Sequence, residues 1–541
     1  MALLKIKPFK DQLFLLLLWL LLILIINPIG DFPLNDDWCY AKSVKTLFDK
    51  GYLKLYNWGE MTLVGHVFYG YLFTKMFGFS FTVLRWSTLV MGFFTILGTY
   101  ELFRLTKIPR WFRLFSTLLC MMNPIFLSLS FSFMTDVPFY CLTIWAFYFF
   151  TKALQTDSWK PLIIAVFLCC WAFTIRQLAL VFPLVWIVTV ALTEKRNFKN
   201  IAKALLPAVI LLVAHFLFYH IMESEGLLQE RYNSKFNQLI ERIKHLDIRL
   251  FLGIFSYILV CLSYLGFLLS PIHIYYIQRN RFKRDTWIIS VYVILILGLL
   301  IKFGKVLPGL HNIWIDFGIG PTTLTDIGAN YTYTPTPNAP MFFWWIITGI
   351  GVFSSIALLF RGISLGRKVF EKKVIRSEVI FSCVFSIIYL APFLVAGVYD
   401  RYLLPLFPIV IVFLASYEIN PLPNKISKYA AFVFLGLISW FSVCGTHDYL
   451  SWNRVRWDAI NRLLDAGVPT NKIQGGAEFV TWYHFSEAKK RWWEDVTPVY
   501  TLVFSADTGN PIHEKLSYSR WLPGEGVMYV TYCASLEEEI E

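Results

Sequence analysis

Two adjacent carboxylates, Asp36 and Asp37, lie in the stretch PLNDDWCYAK (33–42), straight after an apolar run and with Lys42 close behind. Pro33, Trp38 and Tyr40 hem them in. A carboxylate beside a desolvated hydroxyl can take its proton as a general base, and partial burial raises its pKa toward neutral pH. Asp136, in SFMTDVPFY, opens a second apolar run. It suits the same chemistry, and equally the N-terminal cap of a helix. Arg176 in WAFTIRQLALVFP and Arg401 in GVYDRYLLPLFP add two guanidinium groups. Guanidinium holds phosphate by planar bidentate hydrogen bonds and steadies the charge that develops on a phosphate leaving group. For Arg401 the other reading is an ion pair with neighbouring Asp400, or snorkelling to the interface. His66, in LVGHVFYG, suits phosphate binding or simple interfacial placement.

These groups sit in a chain of 541 residues that is 57% hydrophobic and 16% charged, with 50 Phe and 20 Trp. A soluble core needs far less apolar surface, so the class is a polytopic α-helical membrane protein. The formal charge of +13 does not point to nucleic acid, because the basic clusters fall in short loops between apolar segments. Most of the nine Cys lie in apolar runs, and no CxxC pair occurs. They read as small buried residues rather than zinc ligands or a disulfide framework. Nothing resembling HExxH, a P-loop, GxSxG or GxGxxG stands in a credible context, so soluble nucleotide chemistry has no support.

Lys5, Lys7 and Lys10 precede an apolar stretch, Leu13 to Ile26, with no small-residue cleavage site after it. This predicts an uncleaved first spanning helix. Segments long enough to cross hydrocarbon fall at about 12–29, 82–104, 113–131, 134–151, 161–175, 177–193, 203–221, 250–271, 287–304, 341–360, 377–398, 402–417 and 427–445, about thirteen in all. As one helix, 161–193 would be about 50 Å long at 1.5 Å per residue, too long for one crossing, so a hairpin turning at Arg176 and Gln177 is expected. With the N-terminus in the cytoplasm, the loops RLTKIPRWFR, TKALQTDSWK, EKRNFKN, QRNRFKR, RGISLGRKVFEKKVIR and NKISK share one side, and each is basic. That is the cytoplasmic signature. Segments 30–81, 222–249, 305–340 and everything after 445 then face outward, with Asp36, Asp37, Asp136, Arg176, Asp326, Asp400 and Arg401 at one level.

In the first outer segment, Tyr40, Val44, Leu47 and Phe48 recur at helical spacing, which predicts an amphipathic interfacial helix followed by a second in LVGHVFYGYLFTKMFG. Such helices can admit a lipid substrate or form a packing collar. After 445 the composition changes. HDYLSWNRVRWDAINRLLDAGVP reads as a helix with a possible N-cap at Asp448 and a stop at Gly467 and Pro469. GVMYVTYCAS reads as a strand. The expected organisation is a transmembrane domain, 1–445, whose first outer loop is 30–81, and a small C-terminal α/β extracytoplasmic domain, 446–541.

The order of these features resembles the C-type (GT-C) glycosyltransferases, and within them glycosyltransferase family 39, which includes dolichyl-phosphate-mannose–protein mannosyltransferases and bacterial lipid A aminoarabinose transferases. The likeness rests on the acidic pair, the glycine turn, the apolar helix, Phe77-Gly78 and Arg85, and on TIRQLAL and DRYLLPLFP further on. It implies a GT-C fold in a bacterial cytoplasmic (inner) membrane, with an outward-facing site. The implied activity is inverting transfer of a hexose or pentose from a polyprenyl-phosphate sugar donor to a lipid, glycan or protein acceptor. Asp36 or Asp37 would lie at the acceptor and donor sugar. Asp136 would support the site or, with Asp37, a divalent metal ion. Arg176 and Arg401 would border the lipid phosphate, joined by His66. Bacterial members commonly carry Lys-Pro where this chain has Gly65-His66. Segments 320–326 (GPTTLTD) and 474–479 (QGGAEF) also look like landmarks of bacterial relatives, without an assigned role. The rival reading is a flippase for lipid-linked sugars that performs no chemistry; such proteins tend to carry internal repeats and midplane polar groups, whereas these charges keep to one rim.

Overall fold

A computed structural model describes residues 9–193, 197–245, 247–275, 286–310, 312–315, 318–320, 339–371, 375–415, 425–489, 492–507 and 509–532. The N-terminal part holds α1 (Lys10–Ile26), α2 (Asp37–Lys50), α3 (Val64–Phe77), α4 (Phe81–Leu105), α5 (Arg110–Met121), α6 (Pro124–Ser130), α7 (Asp136–Thr156), α8 (Trp159–Ile175), α9 (Val181–Thr193) and α10 (Phe198–Ser224). Then follow α11 (Ser234–Lys244), α12 (Ile248–Leu268), α13 (Ser270–Tyr275), α14 (Thr286–Phe303), the hairpin β1 (Trp314–Ile315) and β2 (Gly318–Ile319), and α15 (Met341–Phe370). The chain closes with α16 (Ser377–Ala396), α17 (Leu406–Ala415), α18 (Lys425–Asp465), β3 (Ile473–Gln474), α19 (Ala477–His484), β4 (Tyr500–Val503), β5 (Ile512–Ser517) and β6 (Val527–Tyr532).

Each of the thirteen expected segments contains helix. Among the described residues, seven helices (α4, α7, α10, α12, α15, α16 and α18) are long and apolar enough to cross a membrane, and the pair α5–α6, bent by 61°, makes an eighth if it is counted as one span. The other five segments fall on α1, α8, α9, α14 and α17, which run from 10 to 18 residues. The bend has a local cause: Asn123 accepts from the amides of Ile125 and Phe126, with Pro124 as the first helical residue, so a new helix starts where the old one stops. Leu24, Ile201, Val209, Phe216 and Ile301 are exposed, the outward apolar face a lipid-solvated bundle requires.

The break at Arg176 is present. Helix α8 ends at Ile175, a short 3-10 turn covers Gln177–Leu180, and α9 doubles back. The Trp186 ring packs 4.9 Å from that of Phe150, and its indole donates to the Lys203 carbonyl at the far end of the bundle. That far end also joins Arg376 to Thr106, while the loops holding Asp36, Asp136, Arg176 and Arg401 gather at the near end.

Beyond the bundle, β3–β4–β6–β5 form a four-stranded sheet in which β3 and β4 are parallel and the other pairs antiparallel. The expected strand is β6 as far as Tyr532. Two expectations change. Asp448 does not begin a helix: α18 runs unbroken for 41 residues, through the anticipated boundary at 445/446. Its carboxylate instead accepts the amides of Trp521 (2.8 Å) and Leu522 (2.9 Å) and so docks the loop before β6. Helix α2 does not lie free on the interface either; it buries Tyr40, Val44 and Leu47 together with Trp38 and Cys39, and its Lys42 donates to the Trp482 carbonyl of α19. An amphipathic face seeks any apolar partner, and here protein supplies it.

Candidate active site

Asp136 stands in the first turn of α7, only 3% exposed, and two guanidiniums converge on its Oδ2. Arg176, at the α8 break, approaches to 2.8 Å and also donates to Thr135 Oγ1 at 2.9 and 2.7 Å. Arg401, in the 3-10 turn Asp400–Leu403, stands 3.6 Å away. Two cations against one buried anion leave a net positive charge for an anionic ligand. The Nε and Nη1 atoms of Arg401 make no hydrogen bond among the described residues, although the side chain is 8% exposed. Tyr399 and Tyr402 flank the guanidinium with ring centres at 5.5 and 5.7 Å.

Of the two readings of Arg401, the pair with Asp400 is not formed. Asp400 is fully buried and spends its carboxylate on the amides of Ile313, Trp314 and Arg401 itself. It thereby ties the β1–β2 hairpin to the turn that carries Arg401. Burial pushes the Asp400 carboxyl up to about 7, against the pull of those amides. Asp326 and most of 320–326 lie outside the described residues.

The acid pair splits. Asp36 is half-buried; its Oδ1 accepts from the Trp58 indole at 2.9 Å, the one side-chain hydrogen bond it takes among the described residues. Arg401, Tyr40 and Asp36 feel one another's charge, and burial holds the Tyr40 phenol well above its ordinary value. Asp37 is 0% exposed and faces inward. Its Oδ1 takes the amide of Leu34 at 2.6 Å and its Oδ2 the amide of Phe133 at 3.0 Å. With both oxygens on backbone donors, Asp37 pins the acid loop to the chain entering α7.

Burial pushes the Asp37 carboxyl from 3.8 up to about 7, opposed by the Arg85 guanidinium and the two amides. A carboxyl whose folded value lies above its unfolded one stabilises the fold at pH below the unfolded value, and that contribution is lost as pH rises through the folded value. Asp37 and Asp400 share this direction. Detergent-solubilised protein is therefore expected to melt at lower temperature at pH 8 than at pH 5.5, with a smaller difference in Asp37→Asn. An equal pH dependence in the variant would count against the Asp37 share.

His66 is fully buried in α3, its ring stacked 4.1 Å from Phe133 and its Nε2 3.0 Å from the Phe133 carbonyl oxygen, which can only accept. Burial pushes the imidazole down to about 4. It is neutral near pH 7 and packed against Phe133, where it makes no ion pair with a carboxylate among the described residues. Gly65 before it explains the Gly-His pair, since a Cβ there would lie 2.1 Å from Thr174 Oγ1. Asp37 and Asp136 do not make a metal site: one is spent on amides and the other on guanidiniums. No group of three His, Cys, Asp or Glu able to hold a cation occurs among the described residues.

Sequence reading named Arg85 only as a landmark without a role, and it missed Arg454 and Asp31, which hold the acid loop with it. Arg85 donates to the carbonyls of Pro28 (3.0 Å), Gly30 (2.6 Å) and Phe32, and Arg454 to those of Ile26, Asn27 and Ile29. Asp31 accepts the Phe81 amide at 2.7 Å. An arginine in an apolar helix is a visible signal; which carbonyls it serves is not.

Residues 66–219 match the family described as "Dolichyl-phosphate-mannose-protein mannosyltransferase". The match contains Asp136 and Arg176 and bears out the resemblance read from the sequence. No curated protein matches the chain. Among solved structures, ArnT from Cupriavidus metallidurans in the apo state is 12% identical, with 96% of this chain and 98% of that one covered and a TM-score of 0.38. The same protein bound to undecaprenyl phosphate is 11% identical, covering 98% and 99%, at 0.39. The archaeal oligosaccharyltransferase AglB from Archaeoglobus fulgidus, in complex with an inhibitory peptide and a dolichol-phosphate, is 13% identical, covering 86% and 60%, at 0.40.

Proposed function

We propose that this chain is a membrane glycosyltransferase that moves a sugar from a polyprenyl-phosphate donor to a hydroxyl acceptor at the extracytoplasmic face of a bacterial cytoplasmic membrane. The family match over 66–219 supports the reaction class. The observation that carries the site is the buried Arg401, whose Nε and Nη1 make no hydrogen bond among the described residues, set beside Arg176 and Asp136 and within electrostatic reach of Asp36.

In this reading the donor phosphate lies against Arg401 and Arg176. The acceptor hydroxyl gives its proton to Asp36 Oδ2, while Trp58 holds Oδ1. The acceptor oxygen bonds to the anomeric carbon as the bond from that carbon to the phosphate oxygen breaks, with inversion. Polyprenyl phosphate leaves with its new negative charge on oxygens that the two guanidiniums face. Asp136 orients both cations. The acceptor, whether lipid, glycan or protein, approaches Asp36 from the half-exposed side. Tyr40, Tyr389 and Tyr402 lie near these charges.

The deciding experiment compares envelope lipids and glycans by mass spectrometry in cells with and without the gene. One glycosylated species is expected to disappear in the deletion, to return with the wild-type copy, and not to return with Asp36→Asn. Full restoration by Asp36→Asn would favour the flippase reading, in which the same charges carry a lipid-linked sugar without chemistry.

A further inference from the structure

The QGGAEF segment (474–479) reaches from the C-terminal domain into the acid loop. Gly475 lies so close to α18 that a Cβ there would sit 2.6 Å from Ile460 Cδ1, and Gly476 adopts φ +99, in the left-handed region that favours glycine. These two residues let α19 start hard against α18, and that start drives Glu478, in the first turn of α19, into the interior at 1% exposure. Its two oxygens face opposite partners. Oε2 takes Arg456 Nη1 at 3.0 Å, from a side chain of α18 that is 0% exposed and sandwiched near Trp452 and Trp457. Oε1 takes the backbone amide of Asn35 at 2.9 Å. Asn35 holds φ +59, in the left-handed region that few residues with a side chain adopt, and it directly precedes Asp36. On the other side of Asp36, the Asp37 carboxylate fixes Leu34 and Phe133. The reactive acid thus lies between two buried carboxylates that each bind backbone, one from its own loop and one from the far end of the chain.

We propose that Glu478, oriented by Arg456, is a positioning residue for Asp36: its Oε1 fixes the left-handed turn at Asn35 and thereby the direction of the neighbouring carboxylate. This inference rests on the glycosyltransferase reading. It assigns to the C-terminal domain a part in turnover rather than in binding the donor, because Arg401 and Arg176 take no contact from Glu478.

Removing one partner of a buried ion pair can unfold a protein, so the test neutralises both partners and varies only the acceptor. Arg456→Leu/Glu478→Gln keeps an amide oxygen for the Asn35 N–H. Arg456→Leu/Glu478→Leu has the same charge and similar volume without that oxygen. Both are purified full length in nanodiscs, checked for melting temperature, and assayed with an undecaprenyl-phosphate sugar as probe. The Gln variant is expected to keep kcat within about 3-fold of wild type, and the Leu variant to lose about 10- to 100-fold in kcat with KM for the donor unchanged, as for misplacement of a reacting group. Equal kcat in the two would overturn the proposal. A second readout does not depend on turnover: amide hydrogen exchange at 34–37 is expected to quicken in the Leu variant and not in the Gln variant. If wild-type protein transfers no sugar while this exchange pattern holds, the functional reading fails and the clamp survives. If exchange is the same in both variants, the clamp fails whatever the activity.

Discussion

Asp36→Asn is expected to lower kcat by about 10²- to 10⁴-fold, the usual contribution of general-base assistance, while the donor KM stays within about 3-fold and the melting temperature does not move. The substitution keeps shape and keeps an oxygen that accepts the Trp58 indole N–H, so the loop has no reason to shift. It removes only the capacity to take a proton. The contrast with its neighbour sharpens the test. Asp37→Asn puts an NH₂ group against one of two buried amides that now share a carboxylate, so its cost should appear as lost stability rather than as a folded protein without turnover. A steady-state assay of purified Asp36→Asn that returned wild-type kcat would falsify the assignment of Asp36 as base.

Arg401→Gln is expected to weaken binding of undecaprenyl phosphate, used as a probe in nanodiscs, by about 10- to 100-fold, the size of one or two hydrogen bonds to a charged group. Arg401 is the cleaner choice of the two cations. Without it Asp136 still has Arg176 at 2.8 Å and is not left as a lone buried anion. Losing Arg176 instead would leave Asp136 with Arg401 at 3.6 Å and strip Thr135 of its two donors. That damage, about 3–5 kcal/mol for a broken buried pair, would appear as poor folding and mask any effect on binding. Arg401→Lys restores the charge without the planar fork, so its affinity should fall between wild type and Gln. Unchanged affinity in Arg401→Gln would place the phosphate elsewhere.

What the sequence disclosed follows from which physical signals are local. Helical segments were legible because hydrocarbon demands long apolar runs, and the turn at Arg176 because one helix through 161–193 would overshoot the bilayer. The meeting of Asp136, Arg176 and Arg401 was legible as a shared level, read from loop charge. The division of labour between Asp36 and Asp37 was not. It depends on whether a carboxylate points at the amide of Phe133, 96 residues away, and no pattern near residue 37 encodes that. His66 misled for the opposite reason: its type suggests charge, but stacking on Phe133 and full burial keep it neutral. The continuity of α18 was hidden by a change of composition at 445, where an apolar face meant for lipid gives way to one meant for protein and Gly445, a helix-weakening residue, sits at the join against Ile319.

The bond between Asn35 and Glu478 joins residues 443 positions apart. A ribosome making this protein completes the acid loop 443 residues before it delivers the partner of Asn35. Until Glu478 emerges, the nascent chain would present an unfinished loop, and assembly must wait for a contact of very high sequence separation, which slows folding. Termination before Glu478 should therefore yield a protein that is inserted and silent.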